Sequence, residues 1–288
     1  MDWPKELVEA IALRDCVLFL GAGVSMNSSN AAGKHPKSWE GFLRTGLDKI
    51  IEDSKKDKIK QEIDKGDYLL ACELLKMELG KDFVNLLKDE FVNPHFKVAD
   101  IHKDIFKLDS RFVITPNFDK IYDSYAVSES YGSIVIKKHT EKDIVDSIRR
   151  RERIIIKMHG TIDAPNELIF SLRDYAIART EHSLFYRVLE SLLMTKTFIF
   201  IGAGINDPDV KLLLENNASM FQTAPQHYFI LPKETLSEES LKVYSNIYNL
   251  KFLQFDKADH YKELLESIHD LVSLVEDAKS DIADRQAW

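Results

Sequence analysis

The stretch CVLFLGAGVS, residues 16–25, decides the fold. Its first five residues are apolar without a polar break, and the run ends on Gly21-Ala22-Gly23. A strand with one wet face alternates apolar and polar side chains. An unbroken run marks a parallel strand covered on both faces. Six more runs repeat the pattern: RFVIT (111–115), SIVIK (133–137), RIIIKM (153–158), TFIFIG (197–202), HYFIL (227–231) and KFLQF (251–255). Helical periodicity lies between most of them, over 118–126, 141–149, 182–195, 207–221, 234–248 and 258–277. Strands alternating with helices build βαβ units, so the expectation is an α/β chain with an open, mostly parallel sheet and helices on both faces.

Residues 38–108 break this rhythm. SWEGFLRTGLDKIIED, SKKDKIKQEIDK, DYLLACELLKMEL and KDFVNLLKDEF all read as helices, with Ser38 as an N-cap. They make an expected helical insertion module, 38–108, lying over the carboxyl edge of a sheet domain formed by 1–37 and 109–277. A polar tail, 278–288, ends in Trp288 and either frays or docks on another subunit. At the other end, Asp2 is placed to cap a helix with Trp3 and Pro4 in its first turn.

Of the 288 residues, 44% are hydrophobic and 30% charged, and the formal charge is −8. Those values suit a soluble globular chain and lack the basic face that nucleic-acid binding needs. One local exception, RRRERIIIK, holds Arg149, Arg150, Arg151 and Arg153. A solvated helix end or a partner contact is favoured there over a DNA site. Cys16 and Cys72 stand apart among apolar residues, which rules out a four-cysteine zinc site and fits a reducing, cytoplasmic setting. The opening MDWPKELVEAIALRD lacks a basic start and a continuous apolar run, so it is not expected to act as a secretory leader, and no apolar run nears the ~20 residues that span a bilayer.

Four strand ends carry residues with chemical potential. Gly21-Ala22-Gly23 lets backbone approach a phosphate, with Ser25 adding a hydroxyl, but Met26 stands where a dinucleotide fingerprint has its third glycine, so a plain tight turn also explains it. The polar loop from there to Trp39 has the length of a ligand lid. Thr115, Pro116, Asn117 and Asp119 follow the second strand; a helix cap accounts for one of Asn117 and Asp119, while an amide also orients a water or a sugar hydroxyl. His159 ends IIIKMHG beside Gly160, and is either a loop residue or a proton acceptor where open sheets bind ligands. Gly202, Gly204 and Asn206 make a second glycine turn, with Asp207 as the N-cap before Pro208. Agreement of four loops on one sheet edge is the argument, since independent loops have no reason to agree.

In order, Gly-Ala-Gly-x-Ser, Thr-Pro-Asn-Phe-Asp, Lys-Met-His-Gly and Gly-Ala-Gly-Ile-Asn-Asp-Pro-Asp resemble the motifs of the sirtuin-like superfamily, and within it the bacterial sirtuin-like domains of antiphage defence. The resemblance spans roughly residues 14–275. It implies a Rossmann-like NAD-binding fold with chemistry at the nicotinamide ribose. By it, Gly21, Ala22, Gly23 and Ser25 match the cofactor loop, Thr115 stands at the cofactor edge, and Gly202, Gly204 and Asn206 match a second cofactor turn. Asn117 and Asp119 match the ribose-side element, and His159 matches the catalytic histidine. Two departures stand out: the four-cysteine zinc ribbon of the deacylases is missing, so no zinc is expected, and AGKHPKSWEGF replaces their arginine-bearing segment.

These departures favour the defence branch, which implies an NAD+ hydrolase yielding ADP-ribose and nicotinamide, an NAD-depleting effector of abortive infection. An NAD-dependent protein deacylase and a non-catalytic NAD or ADP-ribose sensor are the alternatives. Control is expected from homo-oligomerisation or from a companion such as a HerA-like DNA-translocating ATPase or another phage-sensing protein. Neither a membrane nor direct nucleic-acid contact is expected.

Overall fold

The computed structural model describes residues 1–217 and 224–285. The chain opens with α1 (Lys5–Ala12), β1 (Cys16–Leu20) and a single turn, α2 (Ala22–Ser25). Five helices follow: α3 (Trp39–Leu47), α4 (Asp53–Asp64), α5 (Tyr68–Leu79), α6 (Asp82–Phe91) and α7 (Asp100–Lys107). Next come β2 (Phe112–Thr115), α8 (Ile121–Glu129), β3 (Ile134–Lys138), α9 (Ile144–Arg149), β4 (Arg153–Lys157), α10 (Leu172–Glu181), α11 (Ser183–Thr195) and β5 (Thr197–Ile201). The chain closes with α12 (Pro208–Asn217), β6 (His227–Pro232), α13 (Glu238–Tyr248), β7 (Leu250–Phe255) and α14 (Ala258–Arg285).

All seven predicted strands join one sheet in the order β3-β4-β2-β1-β5-β6-β7. Every pairing is parallel, so the fold is the expected Rossmann-like α/β sheet. From β1 the sheet builds outward through β2 and β4 to β3 on one side, and from β5 through β6 to β7 on the other. The direction of build therefore reverses between β1 and β5, where open sheets of this kind leave a crevice at their carboxyl ends.

Alternation explains the unbroken apolar runs. Val17, Phe19, Phe112, Ile114, Ile154, Ile156, Phe198 and Phe200 pack under α10, α11 and α12 on one face. Their neighbours Leu18, Leu20, Val113, Ile155, Ile199 and Ile201 pack under α1, α7 and α14 on the other. A third cluster lies beyond the sheet edge: Phe42, Leu43, Ile59, Cys72, Leu75 and Leu86 from α3–α6, joined by Phe118, Ile162 and Phe170 from loops beyond the strands. α7 is contiguous with those helices in sequence yet docks on α14 instead.

Several local expectations change. Asp2 does not cap α1; Pro4 takes the N-cap position with extended backbone and no side-chain cap. Tertiary tethers set that start instead, because Trp3 Nε1 donates to Ser267 O at 2.9 Å and the terminal ammonium lies 3.5 Å from Glu263. Ser38 does cap α3, accepting from Gly41 N–H at 3.2 Å. The helix expected over 118–126 starts later, since Asp119 Oδ1 takes the Ile121 N–H at 2.9 Å while Phe118 joins the module's core. α10 is an additional helix that periodicity did not show, separated from α11 at His182. α14 continues through 278–285 instead of fraying. The expected extension of α12 over 218–221 and the terminal Trp288 lie outside the described residues. Arg149, Arg150 and Arg151 are exposed at the C-terminal end of α9, whereas Arg153 pairs with Asp109 at 3.3 Å.

Candidate active site

β1 and β5 pair in register from Cys16↔Thr197 to Leu20↔Ile201, which brings their exit turns together. Gly21 N–H donates to Ile201 O and Gly23 N–H to Gly202 O, both at 2.9 Å. A Cβ on Gly21 would meet Gly202 O at 2.4 Å, and one on Gly202 would meet Val24 N at 2.6 Å. Gly202 also has φ +65°, which disfavours any side chain. Turn-on-turn packing therefore demands these glycines. Around Gly204, by contrast, a Cβ would find nothing within 4 Å.

Above the paired turns opens a cleft of about 870 Å³, counting its mouth. Gly21, Ala22, Gly202, Ala203 and Gly204 floor it; Ser25, Asn117, Asp119, His159 and Asp207 supply its polar groups. The opposite wall is aromatic and comes largely from the helical module and the loops packed on it: Trp39, Phe91, Phe118 and Phe170. Trp39 stacks on Phe170 at 5.6 Å and 21°, and its indole N–H is buried without a protein partner. Pro36 and Lys37 bring the 26–38 loop to the rim. Glu90 anchors that loop through Lys37 at 3.0 Å and Lys34 at 3.3 Å.

One hydrogen-bond network fixes the β2 exit. Thr115 Oγ1 donates to Leu20 O at 2.7 Å and accepts the Asn117 N–H at 3.0 Å. The Asn117 amide donates to Gly21 O at 2.9 Å and to Ser25 Oγ at 3.1 Å. Ser25 in turn donates to Asp119 Oδ2 at 2.8 Å. Both Asp119 oxygens are thus engaged, one with Ser25 and one with the start of α8, which makes it a brace for the loop.

His159 follows β4 and is turned by Gly160, whose φ of +79° suits glycine. Its Nε2 lies 2.5 Å from Asp209 Oδ2 and 3.1 Å from the Tyr175 hydroxyl. Asp209 is fully buried on α12, with the Tyr186 hydroxyl 3.5 Å from its other oxygen. Burial raises the Tyr175 pKa well above the usual phenol value, and Asp209 and Asp207 add to the rise. Burial, then the charge of Asp209, likewise raises the Asp207 carboxyl. Next to a buried carboxylate, the proton belongs on Nε2, which donates to Asp209; Nδ1 is left as the basic nitrogen.

Eight of the eleven residues singled out by sequence line the cleft: Gly21, Ala22, Ser25, Asn117, Asp119, His159, Gly202 and Gly204. Gly23 is consumed by packing against Gly202. Thr115 lies beneath the floor, in a smaller cavity. Asn206 faces a neighbouring groove between the module and the β5–α12 loop. Asp207 caps α12, accepting from Asp209 N–H and Val210 N–H at 2.9 and 3.3 Å. Sequence reasoning missed Asp209, Tyr175, Lys37 and the cleft role of Trp39. Among the described residues, no cluster of three or more His, Cys, Asp or Glu could hold a metal ion, and no helix is long and apolar enough to cross a membrane.

Residues 111–253 match the family model of the SIR2-like domain. Over 238 residues, 81% of this chain, the sequence is 25% identical to the NAD(+) hydrolase ThsA of Enterococcus faecium, covering 46% of that protein. Identity to the NAD(+) hydrolase ThsA of Bacillus cereus (strain MSX-D12) is 24% over 242 residues, 84% of this chain and 47% of that protein. The Defense-associated sirtuin 2 of Bacillus subtilis is 26% identical over 215 residues, 73% of this chain and 20% of that protein. The chain thus spans about half the length of the ThsA relatives it matches.

Proposed function

We propose that this chain, SIR2-like over residues 111–253, hydrolyses NAD+ to ADP-ribose and nicotinamide as the effector of a bacterial antiphage defence system. The observation that carries this reading is the meeting of His159 and Asn117 in one cleft floored by the Gly21 turn. The relatives named NAD(+) hydrolase support the choice of substrate.

In the reaction, the bond between ribose C1′ and the pyridinium nitrogen breaks, and its electron pair leaves with nicotinamide. Water oxygen bonds to C1′ and gives up a proton. His159 Nδ1 takes that proton directly or through a ribose hydroxyl, while Asp209 holds the imidazolium that forms. Proton transfer of this kind is worth ~10²–10⁴ in rate. With its amide nitrogen tied to Gly21 O and Ser25 Oγ, Asn117 keeps a fixed carbonyl oxygen to orient the water or a ribose hydroxyl. Trp39 and Phe170 offer flat apolar faces to an aromatic ring of the dinucleotide. Uncontrolled NAD+ loss is lethal, so the activity is held in check by a partner protein or by assembly of copies.

The test is nicotinamide release from NAD+ by purified protein, alone and with a candidate activator. Both His159→Ala and Asn117→Ala should lose turnover while remaining folded, with His159→Ala melting below wild type because it leaves the buried Asp209 without its imidazole partner. Full activity in His159→Ala would remove the imidazole from the reaction.

A further inference from the structure

Lys157 closes β4 where the pattern calls for another apolar side chain. It pairs across the sheet with Thr115, on the same face as Ile155 and Val113, two residues back along each strand. Yet it is a lysine, and it is 1% exposed. A buried ammonium carries a large desolvation cost, and a well-packed apolar replacement of such an ion pair often leaves stability unchanged or raised. Stability is therefore a poor reason for its presence.

Its contacts point elsewhere. Lys157 Nζ donates to the backbone oxygen of Asp119 at 2.5 Å and pairs with the buried Asp123 carboxylate at 3.4 Å. Burial raises the Asp123 carboxyl pKa while the ammonium pulls it down. A small cavity under the cleft floor is shared by Lys157, Asp123, Asp119, Ser25 and Asn117. From Lys157 the bonds run through Asp119 to Ser25, and from Ser25 to the Asn117 amide.

We propose that Lys157 is a positioning residue whose ammonium clamps the 116–121 loop from below, so that Asn117 is held over the Gly21 turn in the geometry turnover needs. This inference rests on the NAD+ hydrolase reading for its catalytic consequence, though not for the clamp itself. Asp123 is the counter-charge that keeps the ammonium buried. Asp119 passes the constraint to Ser25 through Oδ2, while Oδ1 holds the start of α8.

The experiment uses the full chain with Lys157→Met and Asp123→Asn combined, which removes both charges at similar total volume. Lys157→Gln, which retains a donor without the charge, is the second variant. Two measurements are made beside wild type: amide hydrogen exchange over 116–121, and kcat and KM for NAD+. The double variant should melt near wild type, yet exchange at least about tenfold faster in that loop. Its kcat should fall roughly 10²-fold, the scale of a 1 Å misplacement, with KM little changed. Lys157→Gln should fall between the two. Wild-type kcat, or wild-type exchange, in either folded variant overturns the proposal. If wild type releases no nicotinamide either alone or with a candidate activator, the hydrolase reading fails, while exchange still judges the clamp.

Discussion

His159 Nε2 and Asp209 Oδ2 lie 2.5 Å apart, and Asp209 has no exposed surface. Fifty residues separate them in sequence. One sits beyond β4 and the other in the first turn of α12, on opposite sides of the point where the sheet reverses its build. A buried carboxylate needs a charged or hydrogen-bonding partner, and the imidazole is that partner. The pair therefore favours the imidazole tautomer that carries its proton on Nε2.

Asp209→Asn tests that assignment. The amide is nearly the same size but can donate to Nε2, which moves the ring proton to Nδ1 and removes the base. Nicotinamide release should drop by about 10²–10⁴ in kcat, with KM changing far less. An Asp209→Asn protein with wild-type kcat would show that the tautomer is not set from α12.

Seven strands were legible because each is written in adjacent residues: an unbroken apolar run needs no knowledge of the rest of the chain. Asn117 and His159 were legible for the same reason, as polar residues at the ends of such runs. Asp209 was not, since its neighbour Asp207 already explained the local pattern as a cap, and nothing nearby in sequence marks the partner of a distant histidine. The glycine turns were half legible. Their spacing was visible, but the reason for Gly21 and Gly202 is a contact between two turns 181 residues apart, which only the β1–β5 register creates. Trp39 was hidden in the same way, because its helix reads as ordinary core until the module is seen closing the cleft.

That contact predicts opposite outcomes for two glycines in one turn. Gly202→Ala places a Cβ 2.6 Å from the Val24 backbone nitrogen at φ +65°. It should cost about 3 kcal/mol or more and lower Tm by roughly 6–12 °C. Gly204→Ala meets open space and should stay within about 0.5 kcal/mol of wild type, while raising KM for NAD+ because its methyl group enters the cleft. Thermal melts and steady-state kinetics on both variants separate packing from binding.

His139 sets a pH dependence of stability. Burial, then the charges of His182 and His159, lowers its pKa from 6.5 to about 4. Between those values the unfolded chain binds the proton and the folded chain does not. Stability from this group is therefore present above pH 6.5 and declines as pH falls toward 4, by a few kcal/mol at about 1.4 kcal/mol per unit. Asp207 works in the opposite sense, since its raised pKa makes its share present below 3.8 and lost as pH climbs through the folded value. Comparing His139→Phe with wild type isolates the histidine. The variant's Tm should fall less steeply from pH 6.5 to 4, and parallel slopes would contradict the assignment.

The aromatic wall gives an optical prediction. The chain has three tryptophans; Trp39 lines the cleft, while Trp3 is bonded to the backbone of Ser267 on α14. An aromatic ring of NAD+ settling against Trp39 should quench part of the intrinsic emission in a saturable way. Using His159→Ala as the host prevents turnover, so that binding alone is read. Adding Trp39→Phe keeps a ring to pack on Phe170 but removes the unpartnered indole N–H. The quench should vanish and NAD+ affinity should weaken roughly 5- to 30-fold, the worth of one or two kcal/mol. Titration calorimetry measures the affinity without relying on the fluorophore. Equal affinity in the two proteins would mean that the dinucleotide leaves this wall untouched and that the helical module closes the cleft without gripping what enters it.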